Sequence, residues 1–192
     1  MDPLKDVDTR DLVARARAGD QQAWGTLTDR YTNLLWSVAR GMRLSRADAA
    51  DVVQTTWLRL VERLDSLREP EHLGAWLTTT ARRECLATQR RGVRMRMGLP
   101  DAWGEIPAVS DPLDDALLRE ERDVALWKAF STLTARCQSL LRVLMADPPP
   151  SYDEVSGALD MPVGSIGPTR QRCLKSLREN MSAGTRSPQP SS

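Results

Sequence analysis

From Ser45 to Leu64 the sequence SRADAADVVQTTWLRLVERL spaces its apolar residues so that a helix buries them together. Val52, Val53, Thr56, Trp57, Leu60, Val61 and Leu64 fall at i, i+1, i+4, i+5, i+8, i+9 and i+12. They form one stripe of a 3.6-residue period, with Asp48, Asp51, Arg59 and Arg63 off it. Ser45 with Asp48 reads as its N-terminal cap, a variant of the capping box. The same period recurs upstream. Leu12, Val13 and Ala16 predict a short helix ended at Gly19, and Asp20 caps a longer one through Trp24, Leu27, Tyr31, Leu34, Leu35 and Val38. No segment alternates at period two, so the expected fold class is all-α, without strands.

The pattern breaks at about Arg96. From Met97 to Ala116 there are three prolines, two glycines and five acids with no base, a composition that reads as a linker. Helical spacing resumes through Leu117, Leu118, Val124, Trp127 and Phe130. It continues after Thr134 with Leu140, Leu141, Val143 and Leu144 until Asp147-Pro148-Pro149-Pro150. The expected organisation is two small helical domains, 1–96 and 117–181, joined by an acidic tether at 97–116, with a disordered polar tail at 182–192.

The chain has 192 residues, 41% of them hydrophobic, which is enough for a core. Its net charge is only +1, which excludes a uniformly basic coat but allows charges sorted into blocks. Cys85, Cys137 and Cys173 lie far apart with no C-x-x-C pair. The expectation is a reducing compartment with thiols as packing residues, and no zinc site. Met1 leads into DPLKDVDTR, and no apolar run approaches the length of a membrane span. A cytoplasmic protein with no membrane insertion is expected.

Two basic segments carry the chemistry. After the prolines, Ser151-Tyr152-Asp153-Glu154 forms a capping box opening a short helix with Val155, Ala158 and Leu159 on its buried side. Asp160-Met161-Pro162 breaks it, and a second helix follows with no acid from Ser165 to Arg178. This is a helix-turn-helix pattern. Phosphates are held by cations and helix N-terminal amides, and base edges by the first residues of a helix in the major groove. The alternative is the solvated basic face of an ordinary helical hairpin. Gly167 and Pro168 read as a start signal, with Ser165 as cap and Pro168 third, or Gly167 as cap and Pro168 first. Gly167 then either permits close backbone approach to a phosphate or serves only tight turning. The second segment, with Arg82, Arg83, Arg90, Arg91, Arg94 and Arg96 opposed only by Glu84, follows a turn-rich stretch and Trp76. Single-stranded DNA needs such cations beside a pocket for an unstacked base. Core packing is the competing role for Trp76, and a solvated helix end the competing role for the arginines.

Four segments in order resemble one family. LVARARAGDQQAWGTLTDRY is similar to its opening helices, and ADAADVVQTTWLRLVERLDSL to its polymerase-binding helix, with Asp51 and Gln54 in the D-x-x-Q positions. GAWLTTTARRECLATQRR is similar to the helix that reads the minus-ten element, and SYDEVSGALDMPVGSIGPTRQRCLKSLRE to the minus-thirty-five helix-turn-helix. The chain thus resembles an extracytoplasmic-function (ECF) sigma factor of the sigma-70 family, a specificity subunit of RNA polymerase.

The resemblance implies no enzyme, no catalytic residue and no cofactor or metal. Its implied partners are core RNA polymerase, through its beta-prime and beta subunits, promoter DNA and an anti-sigma factor. It assigns polymerase binding to Asp48, Asp51, Gln54 and Arg59. Minus-ten DNA falls to Ser66, Arg68, His72, Trp76, Arg82, Arg83 and Arg90, with a pocket for an unpaired base in the loop from Asp65 to Leu73. Minus-thirty-five DNA falls to Ser165, Gly167, Pro168, Thr169, Arg170, Arg172 and Lys175. The acidic linker would thread toward the RNA exit path. The sequence departs from the family where Arg83 replaces a frequent Asn, where Ala87 replaces a frequent acid, and at Gly167-Pro168. A stand-alone helix-turn-helix regulator is the alternative, and the D-x-x-Q helix with its arginine-rich neighbour speaks against it. An enzyme built on His72, beside Glu71 in a turn, has no scaffold to position its groups.

Overall fold

The computed structural model describes residue 4 and residues 7–97 and 121–184. The acidic linker with Trp103, the resumption of helix at Leu117 and Leu118, and the tail after Gly184 lie outside the described residues. Among those described, every regular element is helical and there is no strand. The first domain holds α1 (Thr9–Arg17), α2 (Gln21–Gly41), α3 (Arg46–Arg63) and α4 (Leu73–Met97), with 3₁₀ turns at Leu64–Ser66 and Pro70–His72 between α3 and α4. The second holds α5 (Glu121–Ser131), α6 (Ala135–Leu144), α7 (Tyr152–Leu159) and α8 (Val163–Gly184).

Local chemistry sets most of these boundaries. Gly19 closes α1 at φ 86°, a left-handed conformation that glycine adopts without steric cost. Asp20 then accepts from the Gln22 and Ala23 amides to start α2. Ser45 accepts from the Asp48 amide at 3.1 Å, and its own hydroxyl donates to the Asp48 carboxylate at 2.7 Å. The capping box of α7 is complete: Ser151 Oγ takes the Glu154 amide, and Glu154 takes the Ser151 amide at 2.7 Å. Each such cap is worth about 1 kcal/mol.

Both registers expected for the last helix are corrected. α8 begins at Val163, so Pro168 lies inside it rather than in its first turn. A proline there forfeits the bond to the carbonyl four residues back. Burial overrides that loss: Ile166 is wholly buried and Met161 nearly so, which holds residues 163–166 in helical form ahead of the proline. The Ser165 amide and hydroxyl both donate to the Pro162 carbonyl at 2.8 Å, closing the turn.

The cysteine expectation is also corrected. Cys137 of α6 and Cys173 of α8 form a disulfide across a Cα separation of 5.4 Å, and Cys85 alone is a free, buried thiol. The pairing arises because helix packing places two positions 36 residues apart side by side, which spacing in the sequence does not reveal. In the second domain, Trp127 and Phe130 meet edge to face at 5.5 Å, and the Arg142 guanidinium lies over both rings.

The two domains are in contact, with α7 packed on α4 and α6 on α2. Their buried residues form one continuous cluster, from Leu12 and Leu35 in the first domain to Val155 and Ile166 in the second.

Candidate nucleic-acid and polymerase interfaces

On α3 the buried arc is Ala49, Val52, Val53, Thr56 and Leu60. Val61, expected on that arc, is instead 58% exposed. At 100° per residue it lies roughly 120° from the arc's centre, so an apolar identity alone does not bring it inside. It joins Leu58, 57% exposed, and the exposed Asp51 and Gln54 on one outward strip. The other two residues assigned to this surface stand apart from that strip. Asp48 is half-buried and engaged by Ser45. Arg59 pairs with Glu84 of α4 at 2.8 Å, so Glu84 faces α3 rather than opposing the arginine run.

The loop between α3 and α4 is pinned from α1. Arg17 donates to the Leu64 and Leu67 carbonyls at 2.9 and 2.6 Å, and Arg10 pairs with Glu71 at 2.9 Å. A backbone hydrogen bond first, and then the Arg10 partnership, hold the Glu71 carboxyl below its usual range. These two arginines hold the loop in place, and nothing in a short basic helix end signals a reach of some fifty residues. Ser66 donates to the Arg63 carbonyl at 3.0 Å, while Arg68 and His72 are exposed around the loop.

Along α4, Trp76, Arg83 and Arg90 recur every seven residues and so form one line, with steps of about 10 Å. Arg83 and Arg90 are exposed, whereas Trp76 is half-buried against the core, its body held and its edge reaching solvent. Arg82 is not on this line. It points to the second domain, where it pairs with Asp160 at 2.9 Å.

On α8, Ile166, Thr169 and Cys173 form the buried strip. Thr169 is therefore corrected as a DNA-reading candidate: it is 8% exposed, and its hydroxyl accepts from Arg172 at 3.2 Å. Arg170 and Arg172 flank the buried strip on opposite sides, because residues two apart on a helix do not share a face. Pro168, Arg172 and Lys175 do share the outward face, together with Gln171 and Arg178, two members the sequence-based assignment left out. Helical phase alone finds them once the start at Val163 is known. Lys175 has Glu179 at 3.8 Å one turn on. Gly167 would tolerate a Cβ, whose nearest neighbour is the Tyr152 hydroxyl at 3.9 Å, so close turning does not demand glycine there.

Between the domains a groove is lined by Trp36, Arg40 and Arg46 on one side and Trp127, Arg142 and Met145 on the other. Among the described residues no group of three or more His, Cys, Asp or Glu is placed to hold a metal ion. No described helix is long and apolar enough to cross a membrane.

A capped helix-turn-helix beside a second domain with an arginine-lined helix defines a two-domain, all-helical architecture with basic surfaces on both domains. Residues 27–95 match the Sigma-70 region 2 family. The ECF RNA polymerase sigma-E factor of Escherichia coli K12 is 26% identical over 164 residues, covering 81% of this chain and 84% of that protein. The ECF RNA polymerase sigma factor BldN of Streptomyces coelicolor is 27% identical over 91% of this chain and 67% of its own length. Two solved structures share the fold at 22% identity. One is CnrH in complex with the cytosolic domain of CnrY, with a TM-score of 0.57 over 92% of this chain and 98% of that one. The other is the sigma factor RpoE with the anti-sigma factor NepR from Bartonella quintana, at 0.50 over 79% and 92%. The chain thus carries a match to Sigma-70 region 2 in its first domain and is similar over most of its length to ECF RNA polymerase sigma factors.

Proposed function

We propose that this chain directs core RNA polymerase to particular promoters and starts their melting by capturing an unpaired non-template base. The observation that carries this reading is the outward strip of α3. Two large apolar side chains, Leu58 and Val61, stand exposed on the same face as Asp51 and Gln54, uncovered among the described residues. An apolar pair flanked by polar groups suits a protein partner, and the beta-prime subunit of the polymerase is that partner.

The Trp76–Arg83–Arg90 line and the loop from Asp65 to Leu73 serve the minus-ten element. Cations follow the displaced strand, and the loop takes the flipped base, whose stacking offsets an unstacking cost of a few kcal/mol. The outward face of α8, with Lys175 at its centre and Arg172 at its edge, lies in the upstream major groove. The chain contributes binding and no chemistry of its own. His72 lies exposed in the α3–α4 loop, without a scaffold that would make it a general base. An acidic, aromatic-binding segment of an anti-sigma factor fits the cationic groove between the domains, where Arg40, Arg46 and Arg142 stand among tryptophans.

The test is Asp51→Lys, which lies off the buried arc and leaves packing untouched. Core polymerase binding, measured by fluorescence titration, should weaken at least tenfold with an unchanged melting curve. Undiminished binding would remove α3 as the docking surface. A stand-alone regulator would bind duplex DNA specifically without polymerase.

A further inference from the structure

The disulfide joins the two ends of the helix-turn-helix. Cys137 stands in the first turn of α6, its amide donating to Thr134 Oγ1 at 3.3 Å, and Cys173 lies midway along α8 on the buried strip. The loop that their bond closes contains all of α7, the turn at 160–162 and the part of α8 that carries Ile166, Pro168 and Arg172. Ile166 also holds α8 near its start, and Asn180 holds it toward its end by donating to Thr132 Oγ1 at 2.8 Å. The disulfide is the middle tie, next in sequence to Arg172 and two residues from Lys175.

We propose that Cys137 and Cys173 are a reversible thiol–disulfide pair, through which an oxidant tightens the hold on α8 and so raises affinity for upstream promoter DNA. The link to DNA rests on the function proposed above. Core polymerase, the partner in that function, works where small thiols keep cysteines reduced. Disulfides in such a compartment are usually transient, as catalytic or redox-sensing bonds. The chain has no C-x-x-C pair to serve a catalytic role, which leaves sensing.

Access and geometry both suit a bond that cycles. Cys137 is half-buried and Cys173 is 1% exposed, so small reagents reach the pair through Cys137. Cys85 is wholly buried in the first domain and takes no part. The Cα atoms stand 5.4 Å apart, within the usual range for a disulfide, so the bond forms and breaks without backbone movement. What changes is the freedom of the loop, because a cross-link stabilises chiefly by restricting the segment it closes. Here that segment is the DNA-reading motif itself. A domain as short as residues 121–184 keeps little stability in reserve, so losing the tie is felt along α8.

A peroxide supplies the oxidation. The Cys137 thiolate attacks one peroxide oxygen and expels hydroxide, leaving a sulfenic acid; the Cys173 thiol then displaces its hydroxyl as water, forming the disulfide. Reduction takes two molecules of a small thiol such as glutathione. The first attacks the Cys137 sulfur and releases Cys173, and the second frees Cys137 and leaves as glutathione disulfide.

The test uses the full chain. Oxidised native protein is treated with excess glutathione, and reduced native protein with stoichiometric hydrogen peroxide. Alkylation and mass spectrometry should find Cys137 and Cys173 free in the first and joined in the second, with Cys85 unmodified in both. A duplex selected from a randomised library by the oxidised protein should bind the reduced form about tenfold more weakly, a part of what a disulfide commonly supplies, and peroxide should restore binding. Hydrogen exchange at the α8 amides should quicken on reduction. Cys137→Ser and Cys137→Ala, at a half-buried position, should bind like reduced wild type and ignore peroxide. A disulfide that glutathione opens only after denaturation overturns the proposal. So does a reduced protein that peroxide does not close, equal affinity of the two forms, or a peroxide response that survives in both variants. If the oxidised protein selects no duplex, the DNA-reading role of α8 fails, and α8 exchange alone decides: a redox-dependent rate upholds the switch and an unchanged rate overturns it.

Discussion

Replacing Ile166 by Ala should expose how the DNA-facing end of α8 is held. Pro168 removes a backbone hydrogen bond from the first turns, so burial of Ile166 has to keep residues 163–166 helical. The substitution deletes three carbons from a site with no exposure. At about 0.8 kcal/mol per carbon this is roughly 2.4 kcal/mol, and the unfilled cavity brings the total to about 3 kcal/mol. Urea unfolding followed by circular dichroism should show a lower midpoint at unchanged slope. Hydrogen exchange should concentrate the loss in the amides of residues 163–170. Affinity for upstream promoter duplex should fall with it, because Pro168 and Arg172 are displaced together. Val163→Ala, at a 42% exposed position one turn earlier, should stay within about 0.5 kcal/mol of wild type. An Ile166→Ala loss below about 1 kcal/mol, or exchange spread evenly over both domains, would refute the idea that burial rather than capping starts this helix.

Cysteine reactivity should report the disulfide and the core together. Native protein prepared without reductant should present no reactive thiol at pH 8, since burial pushes the Cys85 thiol up to about 12. Denaturant should release one thiol and reductant three; three under denaturant alone would mean that Cys137 and Cys173 are unpaired. Reduction should also destabilise the second domain by up to about 4 kcal/mol, the chain-entropy value for a loop of this length, read as a lower urea midpoint. In acid, the Asp20 carboxyl is held below its ordinary pKa, first by its hydrogen bond from Arg15 and then by the Ala23 amide. A depressed pKa gives stability that is present above the unfolded value near 4 and is lost as pH falls through the folded one. Asp20→Asn keeps a good capping side chain, so it should flatten the acid limb of a Tm-versus-pH curve; an unaltered limb would contradict this.

Much of the architecture was legible because its causes are local. Asp20, Ser45 and Ser151 are capping residues whose oxygen reaches an amide two or three positions on, so sequence distance and spatial distance coincide. The outward strip of α3 was legible in its polar members, Asp51 and Gln54. Its apolar members were not, because Val61 is as apolar as Val53 and only helical phase separates them. The start of α8 was hidden for a different reason. Gly167 and Pro168 are strong local signals for a helix start, and the buried Ile166, a tertiary effect, overrules them. Arg82, Arg59 and Arg170 illustrate the same limit among the candidate site residues. A cluster of arginines marks a basic surface, but whether each faces a carboxylate, a neighbouring helix or open solvent depends on what packs beside it. Gly157 is the extreme case: a Cβ there would stand 2.7 Å from Thr79 Oγ1, so a glycine in a short helix acquires its meaning from α4, some eighty residues away.

The most direct measurement is multi-round transcription with purified core polymerase, this chain and a library of promoter-bearing fragments. The account predicts discrete transcripts that require both core and the chain, start at a common set of sites, and disappear with Asp51→Lys. Footprints from the protein alone on duplex DNA, with no promoter-specific transcript when core is added, would contradict it.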